Sequence, residues 1–511
     1  MSRTKNSLRN IKFSVLFQAL KIIITFFTRK VFVLVLTQEY LGLDGTFSNI
    51  LSMLSLAELG VGSAITFSLY KPLAEGDRAQ IRALMGLFRR AYWTIGGVVA
   101  LLGCGAAPFL PVLIKDLPEI PHIYLIYLLF VADTALSYLT GYKQTLLIAD
   151  QQQYVTTTCH SVLNILLHLA QALLLWLTRN YFVYLGLQLA ATLLENGILF
   201  RWTDRLYPFL RSGGREPVKA ETRREIMRNT RAMVFHKIGG IVVFGTDNLL
   251  ISYFVGVVAV GLYSNYVMIT GALSSIYSQL FSALSGSVGN LGATEEPRQV
   301  LTVFRRLNFA GNWLYGFSSV CLVILLNPFI ELWLGREYLF QQSIVCLIAL
   351  NFYVGGMRSA VITFRDAEGL YWYDRYKPIA ESLVNLVASI ALAVPYGVAG
   401  ILGGTFVSTM TTCFWIEPAV LFRYGLEASV RPYFKDYAVN TVITLLTAAV
   451  VWGVCEALPG AGVSLFLAKM AVCAVVGNAG YLLAYHRREE FRYFTGLVLA
   501  LCRSAANRIR R

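Results

Sequence analysis

Charged residues are scarce in this sequence, and their scarcity excludes an ordinary soluble protein. Only 14% of the 511 residues are Asp, Glu, Lys or Arg, and 56% are hydrophobic, whereas soluble domains carry about 25% charged residues. Metal-ligand spacings are missing too. The eight cysteines occur singly along the chain, which indicates small buried apolar residues and predicts no metal site.

Motifs of catalysis are also missing. The chain has no Gly-x-x-x-x-Gly-Lys-Ser/Thr loop, no Gly-x-Ser-x-Gly turn and no paired His or Cys ligands. We therefore expect a protein that is not an enzyme, with no catalytic residues and no cofactor. Because no nucleotide-binding motif is present, any work that the protein performs would draw on a coupling ion (Na⁺ or H⁺), the membrane potential or a solute gradient. No cleavable signal sequence is evident near the start, so the first apolar block is predicted to remain as a span.

Apolar blocks long enough to cross a membrane dominate the sequence. A transmembrane helix needs about 20 apolar residues, and the sequence predicts about fourteen such spans and an all-α polytopic membrane protein. The predicted spans are 13–37, 43–70, 91–114, 122–142, 156–178, 181–200, 233–255, 257–284, 307–330, 340–362, 378–398, 400–422, 437–457 and 463–485.

The positive charges indicate the orientation of these spans. If the N-terminus is cytoplasmic, the outer loops hold only Lys115, Arg179 and Arg336, and most of the 44 Lys and Arg residues lie in cytoplasmic loops and tails. The same distribution explains the net charge of +15 without a nucleic-acid partner. We expect N-in and C-in termini in the inner (cytoplasmic) membrane.

A short motif recurs and indicates two related halves. Gly-x-aromatic-Ser-Asn occurs at Gly45–Asn49 and again at Gly261–Asn265, and each copy follows a span that contains a charged residue. Because the interval covers an even number of spans, the halves form a parallel repeat, which leaves a central cleft between two bundles. The predicted domains are an N-terminal bundle (1–200), a basic linker (201–232), a C-terminal bundle (233–424), an extra helix pair (425–486) and a basic amphipathic tail (487–511).

Charged and polar side chains within the spans are the candidate site residues. Lys21, Thr25 and Arg29 recur at helical spacing on one face of the first span. Charge inside a membrane is costly unless it faces protein or water, and clustered cations suit a phosphate or pyrophosphate group. The further candidates are Glu58, Asp133, His236, Lys237, Asp247 and Arg358. Packing ion pairs, or snorkelling for residues near span ends, remain open alternatives.

The local motifs of about the first eighty residues resemble those of polysaccharide flippases. The matching segments are Thr28-Arg29, Tyr40-Leu41-Gly42-Leu43-Asp44-Gly45, Leu56-Ala57-Glu58-Leu59-Gly60-Val61-Gly62-Ser63-Ala64 and Leu69-Tyr70-Lys71-Pro72-Leu73-Ala74. These flippases belong to the multidrug, oligosaccharidyl-lipid and polysaccharide exporter superfamily. The resemblance implies transport of an undecaprenyl-pyrophosphate-linked oligosaccharide for O-antigen, capsule or exopolysaccharide. It also implies a cationic cavity residue at Arg29 and an acidic one at Glu58.

The same resemblance leaves other functions open. A peptidoglycan-precursor flippase and a cation-coupled drug antiporter share the fold, and a non-transporting scaffold of a glycan-assembly complex is a third alternative. Costly intramembrane charge argues against a scaffold. Beyond the lipid-linked glycan and membrane lipids, the implied partners are a polysaccharide polymerase and glycosyltransferases.

Overall fold

The structure is a computed structural model that describes residues 20–55, 61–150, 152–210, 246–294 and 296–496. These residues form helices and connecting turns and include no strand. In chain order the helices are α1 (20–35), α2 (Gln38–Leu54), α3 (Val61–Glu75), α4 (Arg78–Ala106), α5 (Ile123–Ala149), α6 (Gln153–Thr178), α7 (Tyr181–Leu206), α8 (246–254), α9 (Val257–Thr294), α10 (Pro297–Trp333), α11 (Gln342–Met357), α12 (Ser359–Ala367), α13 (Lys377–Thr411), α14 (Cys413–Tyr424), α15 (Arg431–Glu456), α16 (Gly462–Val472), α17 (Asn478–Tyr485) and α18 (489–496).

Ten segments of the described residues are long and apolar enough to cross a membrane. The prediction of an all-α polytopic membrane protein is therefore confirmed. The count of fourteen spans, the orientation and the central cleft stay predictions, because the first, second and seventh predicted spans include residues outside the described ranges.

The chain divides into two compact units, Met1–Ser264 and Asn265–Arg511. Their boundary lies within α9, at the second copy of the recurring motif. The linker was predicted at 201–232, and residues from 211 onward in it lie outside the described part of the chain. The predicted domain bounds stay predictions.

The N-terminal unit is built around α4, α5 and α7. Its core contains fully buried side chains from α4 and α5, among them Phe88, Val99 and Leu146. Outward-facing positions on the same helices are apolar as well, such as Leu101 on α4. Helix surfaces that face the lipid of a bilayer are apolar, whereas an apolar surface of this extent is unfavourable in water.

Within this unit, α2 and the first turn of α9 cross in backbone contact. A Cβ atom added to Gly42 would lie 1.9 Å from the carbonyl oxygen of Val257, and one added to Gly261 would lie 2.9 Å from that of Gln38. Small residues allow transmembrane helices to approach this closely. The first glycine of each motif copy therefore lies at this crossing, since Gly45 also faces Val260.

In the C-terminal unit, α13 is a helical hairpin and not a single rod. Its backbone reverses at Gly397, where φ is 55° and ψ is −128°, a conformation that glycine adopts at low cost. Asn385 Nδ2 donates to Thr405 Oγ1 over 3.1 Å, and Ser389 Oγ donates to the carbonyl of Ile401 over 3.2 Å. The two arms agree with the predicted spans 378–398 and 400–422.

Aromatic side chains of α17 and α18 pack against α10. Phe491 of α18 stacks on Trp313 at 5.8 Å between centroids, and Phe494 stacks on Phe309 at 6.2 Å. Tyr485 of α17 packs on Phe309 as well. The described part of the predicted amphipathic tail is thus a helix with its aromatic face against a membrane-spanning helix.

Candidate functional site

The predicted stripe on α1 faces protein. Lys21, Thr25 and Arg29 are partly buried, whereas Ile23 and Phe27 are 65% and 56% exposed. The period of the helix separates the two sets, because residues four apart share a face. The cations of α1 therefore lie on a more buried side of the helix than Ile23 and Phe27, and their predicted role in binding stays a prediction.

The hydroxyl groups of α1 are bonded to backbone carbonyls. Thr25 Oγ1 donates to the carbonyl of Lys21 over 2.8 Å, and Thr28 Oγ1 donates to that of Ile24 over 2.9 Å. Thr28 also lies 3.1 Å from the carbonyl of His168 on α6. This contact fixes α1 against α6 and sets which way Arg29 faces.

Arg29 interacts electrostatically with a carboxylate and two tyrosines. Asp44 of α2 lies within its electrostatic range, and the Tyr181 hydroxyl donates to Asp44 Oδ1 over 3.4 Å. Tyr181 and Tyr184 stack at 5.8 Å between ring centroids. Among the described residues, neither Arg29 nor Lys21 forms a direct ion pair, so both keep donor capacity for an anion.

A second polar stripe, on α6, was missed by sequence reasoning. His160, Asn164, His168 and Gln171 follow each other at steps of four, four and three, which puts them on one helical face. His168 lies within electrostatic range of Lys21 and Arg29. The spacing is readable from the sequence, but only the first span combines such a polar stripe with intramembrane Lys and Arg residues, and that combination is what marks a candidate.

Several polar atoms of the α6 stripe lack partners in the described part of the chain. These buried atoms are Asn164 Oδ1, His168 Nδ1 and Gln171 Oε1. Gln171 Nε2, in contrast, donates to Gln188 Oε1 on α7 over 3.3 Å. Buried polar atoms without partners are costly unless water or a ligand satisfies them. The polar interior formed by α1, α2, α6 and α7 is therefore the candidate site.

The predicted acidic residues lie at different places in the N-terminal unit. Asp133 of α5 lies beside Gln188 and Thr192, and its Oδ1 atom is buried without a hydrogen-bond partner among the described residues. Asp247 of α8 is partly buried and interacts electrostatically with Tyr263. Glu58, His236 and Lys237 lie outside the described residues. The roles predicted for all five stay predictions.

Arg358, the remaining candidate, is held by a buried carboxylate in the C-terminal unit. Its Nε and Nη2 atoms donate to the two oxygens of Glu417 over 2.8 and 2.7 Å, and Glu417 is 1% exposed. Lys377 and Arg365 also contact Glu417. Two parallel hydrogen bonds fix a guanidinium firmly, so the geometry favours the ion-pair alternative for Arg358 over snorkelling.

An equivalent buried ion pair occurs in the N-terminal unit. Lys143 Nζ of α5 lies 2.5 Å from Asp204 Oδ1 of α7 and 3.0 Å from the centroid of the Phe200 ring. Both side chains are largely buried. Neither residue was among the sequence candidates, because each lies near the end of a predicted span.

Comparison with known families decides the classification. The family described as "Polysaccharide biosynthesis protein" matches residues 7–285, which is more than half of the chain and includes α1, α2, α6 and α7. The chain belongs to this family. The predicted relationship to polysaccharide flippases is thereby confirmed at the level of the family. No curated protein matches this chain significantly.

Solved structures share its fold at low sequence identity. The lipid II flippase MurJ, in an inward closed conformation, has a TM-score of 0.64 at 14% identity, covering 92% of this chain and 99% of MurJ. An inward-facing multidrug resistance MATE family transporter of the MOP superfamily has a TM-score of 0.57 at 12% identity, covering 79% and 94%. A mutant of the Vibrio cholerae MATE transporter VcmN has a TM-score of 0.51 at 12% identity, covering 81% and 98%. The chain thus has the fold of these transporters.

Proposed function

We propose that this protein is a flippase that moves an undecaprenyl-pyrophosphate-linked oligosaccharide across the inner membrane by alternating access. Its product would supply the synthesis of a cell-surface polysaccharide. The observation that carries the proposal is Arg29, a partly buried cation of α1, within the first predicted span, with no direct ion pair among the described residues. The family and the fold shared with MurJ are consistent with it.

The chemistry of the N-terminal interior suits such a head group. A guanidinium binds phosphate oxygens through two parallel hydrogen bonds, and an ammonium adds a point charge; Arg29 and Lys21 supply one of each. The amides of Asn164 and Gln171 offer the donors and acceptors that sugar hydroxyls need. The polyprenyl chain can stay in the bilayer, so only the head group requires a polar route.

The decisive experiment replaces Arg29. Export of the lipid-linked glycan is measured in cells that carry each variant at matched membrane abundance. Arg29→Ala removes a charge-assisted contact of about 1.5 to 3 kcal/mol, which weakens binding roughly ten- to a hundredfold. Arg29→Lys keeps the charge and loses the bidentate fork, so we expect intermediate export.

Arg201→Ala is the matched control. Arg201 is an exposed arginine of α7, and its loss should leave export at the wild-type level. Unchanged export in Arg29→Ala cells would contradict the proposal that Arg29 holds the pyrophosphate. Equal losses in Arg29→Ala and Arg201→Ala would mean that total positive charge, and not the site, determines export.

A cation-coupled drug antiporter is the second candidate, and Asp133 is the observation that favours it. A buried carboxylate with an unpartnered oxygen can bind a proton or a sodium ion. An antiporter would extrude cationic drugs and lose this activity in Asp133→Asn. A glycan flippase would show no change in drug susceptibility when the protein is deleted, so the deletion strain separates the two functions.

A further inference from the structure

A cavity of about 270 Å³ with a mixed polar and apolar lining belongs to the C-terminal unit, whereas the candidate glycan site belongs to the N-terminal unit. It lies where the first turns of α10 and α15 meet the end of α14 and the residues that follow α17. This volume is slightly below the roughly 300 to 1,000 Å³ of pockets that hold drug-sized ligands. It therefore suits a small head group and not an oligosaccharide.

Two amide side chains line this cavity. Asn312 of α10 is 4% exposed, and its side chain makes no hydrogen bond to the described part of the chain. Asn440 of α15 is 2% exposed, and its amide oxygen accepts from the Tyr485 hydroxyl over 2.7 Å. A side-chain amide has both donors and an acceptor, so Asn312 can hydrogen-bond to a ligand in the cavity.

The charges around the cavity are balanced. Arg305 and Arg488 supply two cations, and Asp436 and Glu490 supply two carboxylates. One pair is loosely formed, since Arg488 Nη1 lies 3.4 Å from Asp436 Oδ1 and both side chains are partly exposed. An exposed pair of this kind contributes little stability, so its members are available to a ligand. Two charges of each sign favour a zwitterion over a simple anion.

The surroundings favour a lipid as the source of that zwitterion. Phe304 and Phe309 form an apolar wall of the cavity. Beside it, α18 packs Phe494 on Phe309 and places Tyr493 3.9 Å from the guanidinium of Arg306. Aromatic and arginine side chains at helix ends are typical of the membrane interface. Phospholipid head groups are concentrated in that layer.

We propose that this cavity binds the phosphoethanolamine head group of a membrane phospholipid. Arg305 and Arg488 hold the phosphate, and Asp436, Glu490 and the amide oxygen of Asn312 accept hydrogen bonds from the ammonium. An ammonium has three N–H donors, whereas the trimethylammonium of choline has none. A bound lipid would connect α10, α15 and α18, and it would stabilise the fold without entering the glycan site.

The test measures thermal unfolding of the full-length purified protein in detergent with added lipid. Phosphatidylethanolamine should raise Tm by about 3 to 6 °C through preferential binding to the folded state. Phosphatidylcholine and phosphatidylglycerol should raise it by less than half as much. Soluble phosphoethanolamine at the same concentration should have no effect, because it lacks the acyl chains that concentrate the lipid at the interface.

Variants locate the site. Asn312→Leu fills the space of the amide with an apolar group, and Arg305→Ala removes an exposed cation; each should weaken phosphatidylethanolamine binding about tenfold, as measured by native mass spectrometry. Arg298→Ala, an exposed arginine of the same helix that does not line the cavity, should bind like wild type. If Asn312→Leu does not fold, Arg305→Ala decides the outcome.

Three results would overturn the proposal. Equal stabilisation by phosphatidylglycerol or phosphatidylcholine would show that the cavity does not select an ethanolamine head group. An equal shift with soluble phosphoethanolamine would remove the lipid as the source. Full binding by Arg305→Ala and Asn312→Leu would place the lipid elsewhere on the protein. None of these outcomes depends on glycan export, so the proposed function stands or falls separately.

Discussion

Glu417 is the residue on which the charge balance of the C-terminal unit depends. It is 1% exposed and contacts Arg358, Arg365 and Lys377. Arg365 has a second buried carboxylate partner, Asp374, at 2.6 Å. Breaking a buried ion pair by removing one partner is costly because the other charge remains buried. Without the charge of Glu417, Arg365 keeps Asp374, whereas Arg358 and Lys377 keep only carboxylates that lie 3.8 and 4.0 Å away.

Glu417→Gln should therefore be strongly destabilising. The substitution keeps the volume and removes only the charge, and we expect a loss of about 3 to 5 kcal/mol in the free energy of unfolding. Thermal unfolding in detergent measures the change. Glu456→Gln, at an exposed position of α15, serves as the control and should unfold like wild type. Similar unfolding temperatures for the two variants would mean that the cations of the cluster find other partners.

At the scale of elements, both units join corresponding helices with a buried ion pair. Lys143 and Asp204 connect α5 with α7, and Arg358 and Glu417 connect the end of α11 with α14. Along the chain, Lys143 precedes Arg358, and Asp204 precedes Glu417, by nearly the same interval as that between the two motif copies. The two ion pairs therefore support the predicted repeat independently of the motif.

The N-terminal pair offers a charge-swap test. Lys143→Asp and Asp204→Lys each place two like charges together, and each should destabilise the protein by several kcal/mol. The double variant restores opposite charges, so its destabilisation should be smaller than the sum of the two single effects by a coupling energy of about 0.5 to 3 kcal/mol. Chemical or thermal unfolding of the four proteins completes the cycle. A coupling energy of zero would show that Lys143 and Asp204 do not stabilise the contact between α5 and α7.

The crossing of α2 and α9 leads to a separate prediction. Gly42→Ala places a methyl group 1.9 Å from the Val257 carbonyl oxygen, so the helices must move apart at a cost of about 1 to 3 kcal/mol or more. Gly97→Ala is the control, because that glycine of α4 is exposed and has open space around it. The control should be neutral or slightly stabilised, since alanine is the better helix former. Unfolding temperatures of both proteins test the difference.

Periodicity explains what the sequence could and could not predict at these two scales. The α1 stripe was found because Lys21, Thr25 and Arg29 lie within one helix, where spacing alone determines the face. The partners of Arg358 were not found, because Glu417 lies far along the chain and only folding brings the two together. The α6 stripe could have been predicted from its local spacing, but its residues include no Lys, Arg, Asp or Glu to mark them as candidates.

At the scale of the whole molecule, hydropathy predicted the class of fold because length and apolarity alone define a membrane span. Orientation depends on loop charges, and it can be tested by chemical labelling. In a cysteine-free background, Glu119→Cys lies in a predicted outer loop, and Glu75→Cys lies in a predicted inner loop; both positions are exposed. A membrane-impermeant maleimide applied to intact cells should label only Glu119→Cys. Labelling of Glu75→Cys alone would reverse the orientation.

The hairpin of α13 has a consequence for biosynthesis. Its arms touch along Ser389 and Gly404, where an added Cβ would lie 2.3 Å from Ser389 Oγ. When the first arm emerges from the ribosome, the amide of Asn385 lacks its hydrogen bond to Thr405, because Thr405 has not yet been made. A lone arm would expose that amide to lipid at a cost, so insertion waits for the second arm. Chains truncated at the Gly397 turn should consequently be recognised by membrane quality control and degraded, whereas chains that include the second arm should survive.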